Sequence, residues 1–230
     1  MRILKKLLLL LCIIVVIIGV GMTLQGYQIY KEAIEEISLS DKKTSVQSED
    51  SYTTVQNLPE DYLNAVVSVE DRRFYEHGAV DVRSIGRAIV TNIKERELTE
   101  GGSTITQQLA KNLYFSQKKE LSRKIAEIFM AFEMEKQYTK EEILELYINT
   151  SYFGEGYYGI AEASQGYFNK VPSKMSLKES TLLAGVPNAP SVYNPVQSPT
   201  LSKKRQKHVI NSMVENKYLT QEEAAILLKE

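Results

Sequence analysis

Apolar residues recur every three or four positions through most of the chain, which is the period of one face of an α-helix. No segment alternates apolar and polar residues as a half-buried β-strand does. The pattern therefore predicts a mostly α-helical protein. The clearest faces consist of Tyr62, Ala65, Val66 and Val69; Val82, Ile85, Ile89 and Ile93; Ile105, Leu109 and Leu113; and Leu121, Ile125, Ile128 and Phe132.

Shorter helices are expected at residues 140–149, 161–168 and 177–185, and two more after Ser202 and Thr220. Thr220 and Glu223 have the spacing of a capping box. Glycines at 154, 156 and 159 predict a bend rich in tyrosine, and the prolines between 187 and 199 predict extended surface chain.

Residues 7–24 form a run of 18 residues without a charge. As a helix this run spans roughly 27 Å, close to the apolar thickness of a bilayer. Arg2, Lys5 and Lys6 precede it, which predicts a cytoplasmic N-terminus. No small-x-small cleavage site follows the run, so an uncleaved anchor is favoured over a signal peptide.

The apolar pattern divides the chain into three parts. Residues 1–26 are expected to be the cytoplasmic tip and the transmembrane anchor. Residues 27–57 are expected to be a juxtamembrane helix followed by a polar linker, because 38–57 lack apolar periodicity and suit a tether rather than a core. Residues 58–230 would form the globular domain. Within it, residues 94–100 are expected to form a charged, mobile loop.

The charge balance and the cysteine and histidine content exclude several classes of partner and site. The first 26 residues hold three of the 28 basic side chains and none of the 29 acidic ones, so the remaining chain is slightly acidic. That balance argues against nucleic acid. Cys12 is the one cysteine, which excludes a disulfide framework, and His77 and His208 lack the spacing of zinc ligands.

Two polar stretches carry candidate chemistry. Glu70 is the first ionisable residue after the apolar face of 62–69, a place that suits a general base, although a solvated helix end is the ordinary alternative. Gly101-Gly102 precede a predicted helix N-terminus, where free N–H groups and the helix dipole attract anions. The spacing is not that of a nucleotide-binding P-loop. Arg123 and Glu127 are four apart, which is typical of an exposed helix salt bridge.

Five blocks in order resemble the peptidoglycan glycosyltransferases, which occur as monofunctional transglycosylases and as the N-terminal domain of bifunctional penicillin-binding proteins. The blocks lie between residues 70 and 195. They are Glu70-Asp71-Arg72-Arg73-Phe74-Tyr75-Glu76-His77 with Asp81; Gly102-Ser103-Thr104-Ile105-Thr106-Gln107-Gln108-Leu109 with Lys111-Asn112; Arg123-Lys124 with Glu127; Ile143-Leu144-Glu145-Leu146-Tyr147-Ile148-Asn149 with Tyr152-Phe153-Gly154; and Leu183-Ala184-Gly185 with Pro187 and Tyr193-Asn194-Pro195.

The resemblance implies a lysozyme-like helical lobe and a smaller membrane-proximal lobe, after one transmembrane helix. It implies that the protein polymerises lipid II into glycan strands with inversion at the anomeric carbon, releasing undecaprenyl pyrophosphate. Glu70 would be the general base, and Glu127 a second catalytic carboxylate that orients cations or a metal. The residues implied to bind substrate are Asp71, Phe74, His77, Gly102, Ser103, Thr104, Gln107, Gln108, Lys111, Asn112, Arg123 and Lys124.

The resemblance also implies partners and a location. Lipid II, the nascent glycan strand and the membrane are expected partners, with transpeptidases and other cell-wall synthesis proteins as further candidates. A divalent cation, Mg²⁺ or Mn²⁺, is the expected cofactor, and no organic cofactor is expected. The catalytic domain would be extracellular at a bacterial plasma membrane. Because the chain stops at Glu230, we expect a monofunctional enzyme unless it is a truncated bifunctional protein.

Two alternatives and one departure stay open. A lysozyme-like enzyme that cleaves the same polymer is disfavoured by the paired cations Lys111 and Arg123, and an inactive anchored assembly protein by the presence of both Glu70 and Glu127. The family has Gly two positions after its motif His, whereas this chain has Ala79 there. If the backbone at this position adopted positive φ, Ala79 would be strained or the turn shifted by one residue.

Overall fold

The computed structural model describes residues 2–95, 101–115 and 120–229, without the side chains of residues 2, 3, 89 and 92–95. Its first helix, α1 (Arg2–Glu36), contains both the predicted anchor and its predicted continuation. Within the described residues one helix, Leu4–Glu36, is long and apolar enough to cross a membrane. Its 18-residue apolar window has a mean hydropathy of 3.1, and none of that window is buried in the protein.

Eleven further helices follow in the described part of the chain, with 3-10 turns at Val55–Asn57 and Pro172–Lys174. Those residues include no strand, only an isolated bridge between Tyr152 and Tyr158. The prediction of a mostly α-helical protein after an apolar N-terminal helix is therefore confirmed. The helices are α2 (Leu39–Gln47), α3 (Glu60–Glu70), α4 (Val82–Glu95), α5 (Ile105–Tyr114), α6 (Leu121–Gln137), α7 (Lys140–Thr150), α8 (Gly159–Phe168), α9 (Leu177–Gly185), α10 (Pro190–Tyr193), α11 (Pro199–Glu215) and α12 (Gln221–Leu227).

The core lies where α3, α5, α7, α9 and α11 meet. α3 packs against α9 and α11, while α5 packs against α6 and α7. Tyr62, Ile105, Leu109, Tyr147 and Leu183 are fully buried members of this core. Burying one such side chain stabilises the fold by about 1.5–3 kcal/mol. This packing fixes the C-terminus of α3 beside the N-terminus of α5, and the polar residues of both ends share one cleft.

Local signals set several helix ends as predicted. The Thr220 capping box is present at the start of α12. Others occur at Thr139 before α7 and at Ser176 before α9. The proline-rich region differs in part from the prediction of extended chain, because Pro190 and Pro199 each occupy the first turn of a helix. Proline suits that position because its missing N–H would have no helical partner there.

Two predicted apolar faces differ from the structure. In α6, Leu121 is 66% and Phe132 49% exposed, whereas the buried residues include Ala126, Met130 and Met134. The helix was predicted correctly but its core face was not, because small residues and methionines make the close contacts there. In α4, Val82 is exposed. The predicted 94–100 loop begins inside α4, and residues 96–100 lie outside the described part of the chain.

The expectation that residues 38–57 are an unpacked tether is wrong. This segment, called the strap below, contains α2, and its Leu39, Val46 and Val55 are buried in the core. The backbone N–H of Thr53 donates to Oδ1 of Asn149 at 2.8 Å, and Nδ2 of Asn149 donates to the Thr53 carbonyl at 2.8 Å. A few buried apolar positions and paired backbone groups hold a segment whose remaining residues are polar.

Candidate active site

A cleft of about 570 Å³ opens where α3, α5, α6 and α11 converge. The end of α3 contributes Glu70, the segment before α5 contributes Gly102 and Ser103, α6 contributes Arg123, Lys124 and Glu127, and α11 contributes Arg205. Most of the sequence-predicted site residues therefore share one cavity. Ten of them line it: Glu70, Asp71, Gly102, Ser103, Thr104, Gln108, Lys111, Arg123, Lys124 and Glu127.

Glu70 is the last residue of α3, and its carboxylate is held from two sides. Nε2 of Gln108 donates to Oε2 at 2.9 Å, and Nη2 of Arg205 donates to Oε1 at 3.0 Å. The Glu70 side chain is only 4% exposed although it lines the cleft. The Tyr147 hydroxyl donates in turn to Oε1 of Gln108, at 3.4 Å, which fixes the amide with its NH₂ toward Glu70. The carboxylate is thus oriented before any substrate arrives.

Asp71, the next residue, joins the ends of two helices. Its Oδ2 accepts the backbone N–H of Ile105 at 3.0 Å, and its Oδ1 lies 2.7 Å from Nε2 of His77. Nδ1 of His77 lies 2.6 Å from the Gly78 carbonyl. Both partners of the imidazole are oxygen acceptors, an environment that favours the protonated ring with a donor on each nitrogen. Burial lowers the pKa of His77, but the bonds to Asp71 and Gly78 outweigh it and raise the pKa above its usual 6.5.

The cations on α6 are organised by Glu127. One oxygen of this buried carboxylate pairs with Arg123, and the other lies 2.9 Å from Nζ of Lys124. Nζ of Lys124 also donates to Oγ of Ser103 at 2.8 Å. The predicted salt bridge between Arg123 and Glu127 exists, but it is buried in the cleft wall rather than exposed. Glu127 therefore holds two cations toward the Gly102–Ser103 segment.

Lys111 on α5 completes a positively charged wall. Burial lowers the pKa of Lys111, the Arg123 charge acts in the same direction, and Glu70 opposes them. Burial likewise lowers the pKa of Lys124, to about 8, with Arg123 and Lys111 contributing. Each cation disfavours the protonated form of its neighbours, and the single charge of Glu127 offsets only part of the charge of the three cations. The arrangement suits a ligand that brings several negative charges.

Four predicted binding residues do not line the cleft. Phe74 is fully buried in the core, and His77 binds Asp71 from behind the cleft. Gln107 is buried, and its Nε2 donates to the Ala79 carbonyl at 3.3 Å instead of facing a ligand. Asn112 is partly buried and lies away from the cavity. Phe74, His77 and Gln107 support the site from the interior.

Ala79 is accommodated without strain. The described non-glycine residues with positive φ are Glu155, Asn169 and Lys217, so Ala79 is not among them. Its carbonyl accepts the Thr104 hydroxyl at 2.9 Å as well as the Gln107 amide. Thr104 also caps α5, because its side-chain oxygen accepts from the backbone N–H of Gln107. The substitution of Ala for the family Gly leaves this contact between the loop and α5 intact.

Sequence reasoning missed the contribution of α11. Arg205, His208, Ser212 and Glu215 all line the cleft. Their separations of three and four residues place them on one face of a helix, so a search for polar rather than apolar periodicity would have found them. Arg205 has the most direct role, since it contacts Glu70, donates to the Gly185 carbonyl and lies over the ring of Tyr193.

The carboxylates of the site are already engaged with protein donors. Asp71, His77 and Asp81 lie close enough together to form a candidate metal-binding group. Asp81, however, pairs with Arg73 and accepts from Ser84, and Asp71 binds His77 and Ile105. These donors satisfy the negative charge that a cation would need. The described residues of this group therefore do not fit a protein-held metal ion.

Comparisons with known proteins agree on a family. A family model described as Transglycosylase matches residues 36–214. Penicillin-binding protein 1A of Neisseria lactamica is 46% identical over 169 residues, which are 74% of this chain and 21% of that protein. Penicillin-binding protein 1F of Bacillus subtilis (strain 168) is 41% identical over 171 residues, 74% of this chain and 24% of that protein. The chain thus spans about a fifth to a quarter of the length of these relatives.

A solved structure is also similar. The crystal structure of penicillin-binding protein 1A from Haemophilus influenzae aligns with a TM-score of 0.47 and 24% sequence identity. The alignment covers 78% of this chain and 17% of that one.

Proposed function

Because the chain belongs to the transglycosylase family, we propose that it polymerises lipid II into the glycan strands of peptidoglycan and releases undecaprenyl pyrophosphate. One observation supports this most directly: the buried carboxylate of Glu70 shares a single cleft with Lys111, Arg123 and Lys124. A base beside a cationic wall is what the transfer of a sugar from a pyrophosphate to a hydroxyl requires.

Glu70 is the general base of the proposed reaction. The 4-hydroxyl of the incoming sugar attacks the anomeric carbon of the growing strand, and its proton passes to the Glu70 carboxylate. The new glycosidic bond forms as the bond between the anomeric carbon and the phosphate oxygen breaks, with inversion. Such proton transfer contributes typically 10²–10⁴ in rate. The bonds from Gln108 and Arg205 hold the carboxylate in one orientation for this step.

Lys111, Arg123 and Lys124 stabilise the leaving group. Pyrophosphate leaves as a stable anion, so it needs positive charge rather than a proton. The three cations line the cleft together with Ser103. Glu127 acts through Arg123 and Lys124, since its two oxygens are bonded to them. In this proposal Glu127 positions the cations, and Glu70 alone exchanges the proton.

The alternative of a polymer-cleaving enzyme fits this cleft less well. A glycoside hydrolase needs a carboxylic acid to protonate a sugar leaving group. Here the two oxygens of the second carboxylate, Glu127, are bonded to Arg123 and Lys124, which keeps Glu127 ionised rather than protonated as an acid. An inactive assembly protein would have no need for a buried, oriented carboxylate such as Glu70.

A Mg²⁺ or Mn²⁺ ion is proposed only as a companion of the substrate. Magnesium commonly binds through one or two carboxylates together with substrate phosphates. Because the Glu70 and Glu127 carboxylates are bonded to protein donors, phosphate oxygens would supply most of its ligands. The proton transfer and the stabilisation of the leaving group use the protein's own residues.

The proposed location is the outer face of a bacterial plasma membrane, with a cytoplasmic N-terminus. The apolar helix Leu4–Glu36 and the basic residues that precede its apolar run support this orientation. The long prenyl tail of lipid II holds the substrate at the same membrane. Transpeptidases and other cell-wall synthesis proteins are the proposed protein partners, since the strands made here would be cross-linked next.

The test is to incubate the purified full-length protein with labelled lipid II in detergent and to separate the products by size. Polymer together with released undecaprenyl pyrophosphate is the expected result. A second incubation, with preformed glycan strands, tests the hydrolase alternative. Shortened strands in that incubation, or no conversion of lipid II under any condition, would overturn the proposed function.

A further inference from the structure

The membrane helix α1 contacts the cleft helix α6 through a glycine. Gly26 is buried against α6. A Cβ atom at Gly26 would lie 2.6 Å from Cγ2 of Ile125 and 2.8 Å from the carbonyl oxygen of Ser122. Ordinary contacts between such atoms are about 3.5–4.0 Å. The backbones of the two helices therefore approach to a distance that only glycine permits.

Aromatic side chains extend this contact along α1. Tyr27 packs edge-on against Phe129, with ring centroids 5.3 Å apart, and Tyr30 lies 6.0 Å from the same ring. Phe129 therefore lies between two residues of α1, one turn of α6 beyond Ile125. The contact is a packed interface rather than a single touching point.

The same two turns of α6 carry the cationic wall of the cleft. Ser122 and Ile125 contact α1, while Arg123, Lys124 and Glu127 line the cleft. Because a helix moves as a stiff body over two turns, a displacement imposed at Ile125 reaches Arg123 and Lys124 with little loss. The position of these cations relative to Glu70 thus depends on how closely α1 approaches.

We propose that Gly26 is a positioning residue: it lets α1 pack closely against α6 and so sets the place of Arg123, Lys124 and Glu127 in the cleft. The inference rests on the proposed function for its activity readout. It assigns α1 a second role besides holding the enzyme at the membrane. An anchor raises the local concentration of a membrane-bound substrate and changes KM. A positioning contact changes kcat.

The first test compares Gly26→Ala with Gly21→Ala in the full-length protein. Both changes replace a helical glycine by alanine, but a Cβ at Gly21 meets nothing within 4 Å. The gain in helix propensity is the same for both. At Gly26 the neighbouring helix must move by on the order of 1 Å, and misplacement of that size can lower a rate about 10²-fold. We expect Gly26→Ala to lower kcat by about tenfold or more, with KM unchanged, and Gly21→Ala to retain the wild-type kcat.

The second test loosens the contact instead of crowding it, which keeps the inference testable if Gly26→Ala fails to fold. Phe129→Ala removes the ring that packs on Tyr27 and Tyr30, whereas Phe132→Ala deletes an identical ring that is 49% exposed on the same helix. We expect Phe129→Ala to lower kcat and Phe132→Ala to leave it unchanged, with thermal melts recorded for both.

Hydrogen exchange supplies a readout that needs no substrate. In Gly26→Ala and Phe129→Ala, the amides of residues 122–127 should exchange faster than in the Gly21→Ala and Phe132→Ala controls. A wild-type protein that makes no polymer would refute the proposed function, while the exchange data still decide the α1–α6 contact. Equal kcat and equal exchange within both pairs would overturn the inference, and so would a change confined to KM.

Discussion

Nη2 of Arg205 donates to Oε1 of Glu70 at 3.0 Å, although the two residues are 135 positions apart in the chain. The pair closes the cleft from the side of α11, and both side chains are largely shielded from water. A buried carboxylate that keeps its charge needs such a partner.

Glu70→Gln should fold normally and lose polymerisation. The amide keeps the shape of the side chain and can still accept from Arg205, but it cannot take a proton. Steady-state rates should fall by at least about 10². Glu60→Gln, an exposed position at the other end of α3, is the matched control and should keep the wild-type rate. A Glu70→Gln enzyme with more than about a tenth of wild-type activity would exclude the general-base role.

Arg205→Ala should lower both activity and stability. It leaves the Glu70 carboxylate buried without its cation, and breaking a buried ion pair costs about 3–5 kcal/mol. Lys204→Ala removes an exposed cation from the neighbouring position and should change little. Denaturant unfolding of both variants measures the difference.

The double variant Glu70→Gln with Arg205→Ala separates the pair from other roles of Arg205. A neutral amide in place of the Glu70 carboxylate does not need a cation, so the loss of stability in the double variant should be smaller than the sum of the single losses. Strict additivity would show that Arg205 stabilises the fold through Gly185 and Tyr193 rather than through Glu70.

Lys111→Ala should slow the chemical step by removing one donor to the leaving pyrophosphate. Loss of such a donor costs about 2.7–4 kcal/mol in comparable sites. Lys111→Arg should restore part of the rate, because a planar fork differs from a point charge. Asn112→Ala, at the next position but away from the cleft, should be near normal. Single-turnover rates alongside thermal melts test this, and a near-normal Lys111→Ala rate would contradict the role.

Polymerisation should decline as the pH rises through about 8, the value to which burial lowers the pKa of Lys124. Above that pH the amine becomes neutral and no longer balances the pyrophosphate charge. Lys124→Arg should remove this alkaline decline, because a guanidinium stays charged. The measurement is kcat/KM against pH for both proteins, because this ratio reports the pKa values of groups in the free enzyme. An alkaline limb that persists unchanged in Lys124→Arg would assign the titration to another group.

His77 should stabilise the fold in a pH-dependent way. The Asp71 bond raises its pKa in the folded protein against the opposing effect of burial, so the folded state binds the proton more tightly than the unfolded state. The stabilisation is complete below the unfolded pKa of about 6.5 and is lost as the pH rises through the higher folded pKa. The difference in melting temperature between wild type and His77→Gln should therefore be largest at low pH. A difference that grows with rising pH would contradict this.

The helices could be predicted because their signals are local. Helical periodicity and caps at Thr104, Thr139, Ser176 and Thr220 act within a few residues. The inner face of α6 could not be found in this way. It consists of small residues, methionines and the charged Glu127, whose burial depends on Arg123 and Lys124 being oriented into the same cleft.

The cleft residues that were predicted belong to the blocks that carry the family resemblance, whereas Arg205 lies beyond the last of these blocks. Glu70 and Asp71 lie at the C-terminus of α3. The residues from Gly102 to Lys111 lead into α5 and form its first two turns. Arg205 belongs to a helix far along the chain, and only tertiary packing brings it to Glu70. Gln107 was expected to bind substrate from the resemblance, whereas in the structure its amide is buried and donates to the Ala79 carbonyl.

The strap is synthesised before the helix against which it packs, which affects the order in which the protein folds. Thr53 leaves the ribosome long before Asn149, the residue that binds both of its backbone groups, 96 positions later. Chains are synthesised from the N-terminus at about 5–20 residues per second, so the strap waits several seconds for α7. Its polar residues keep it hydrated during that interval, and its few apolar ones offer little surface for premature association. The polarity that resembles a linker thus suits a segment that is synthesised early and packed late.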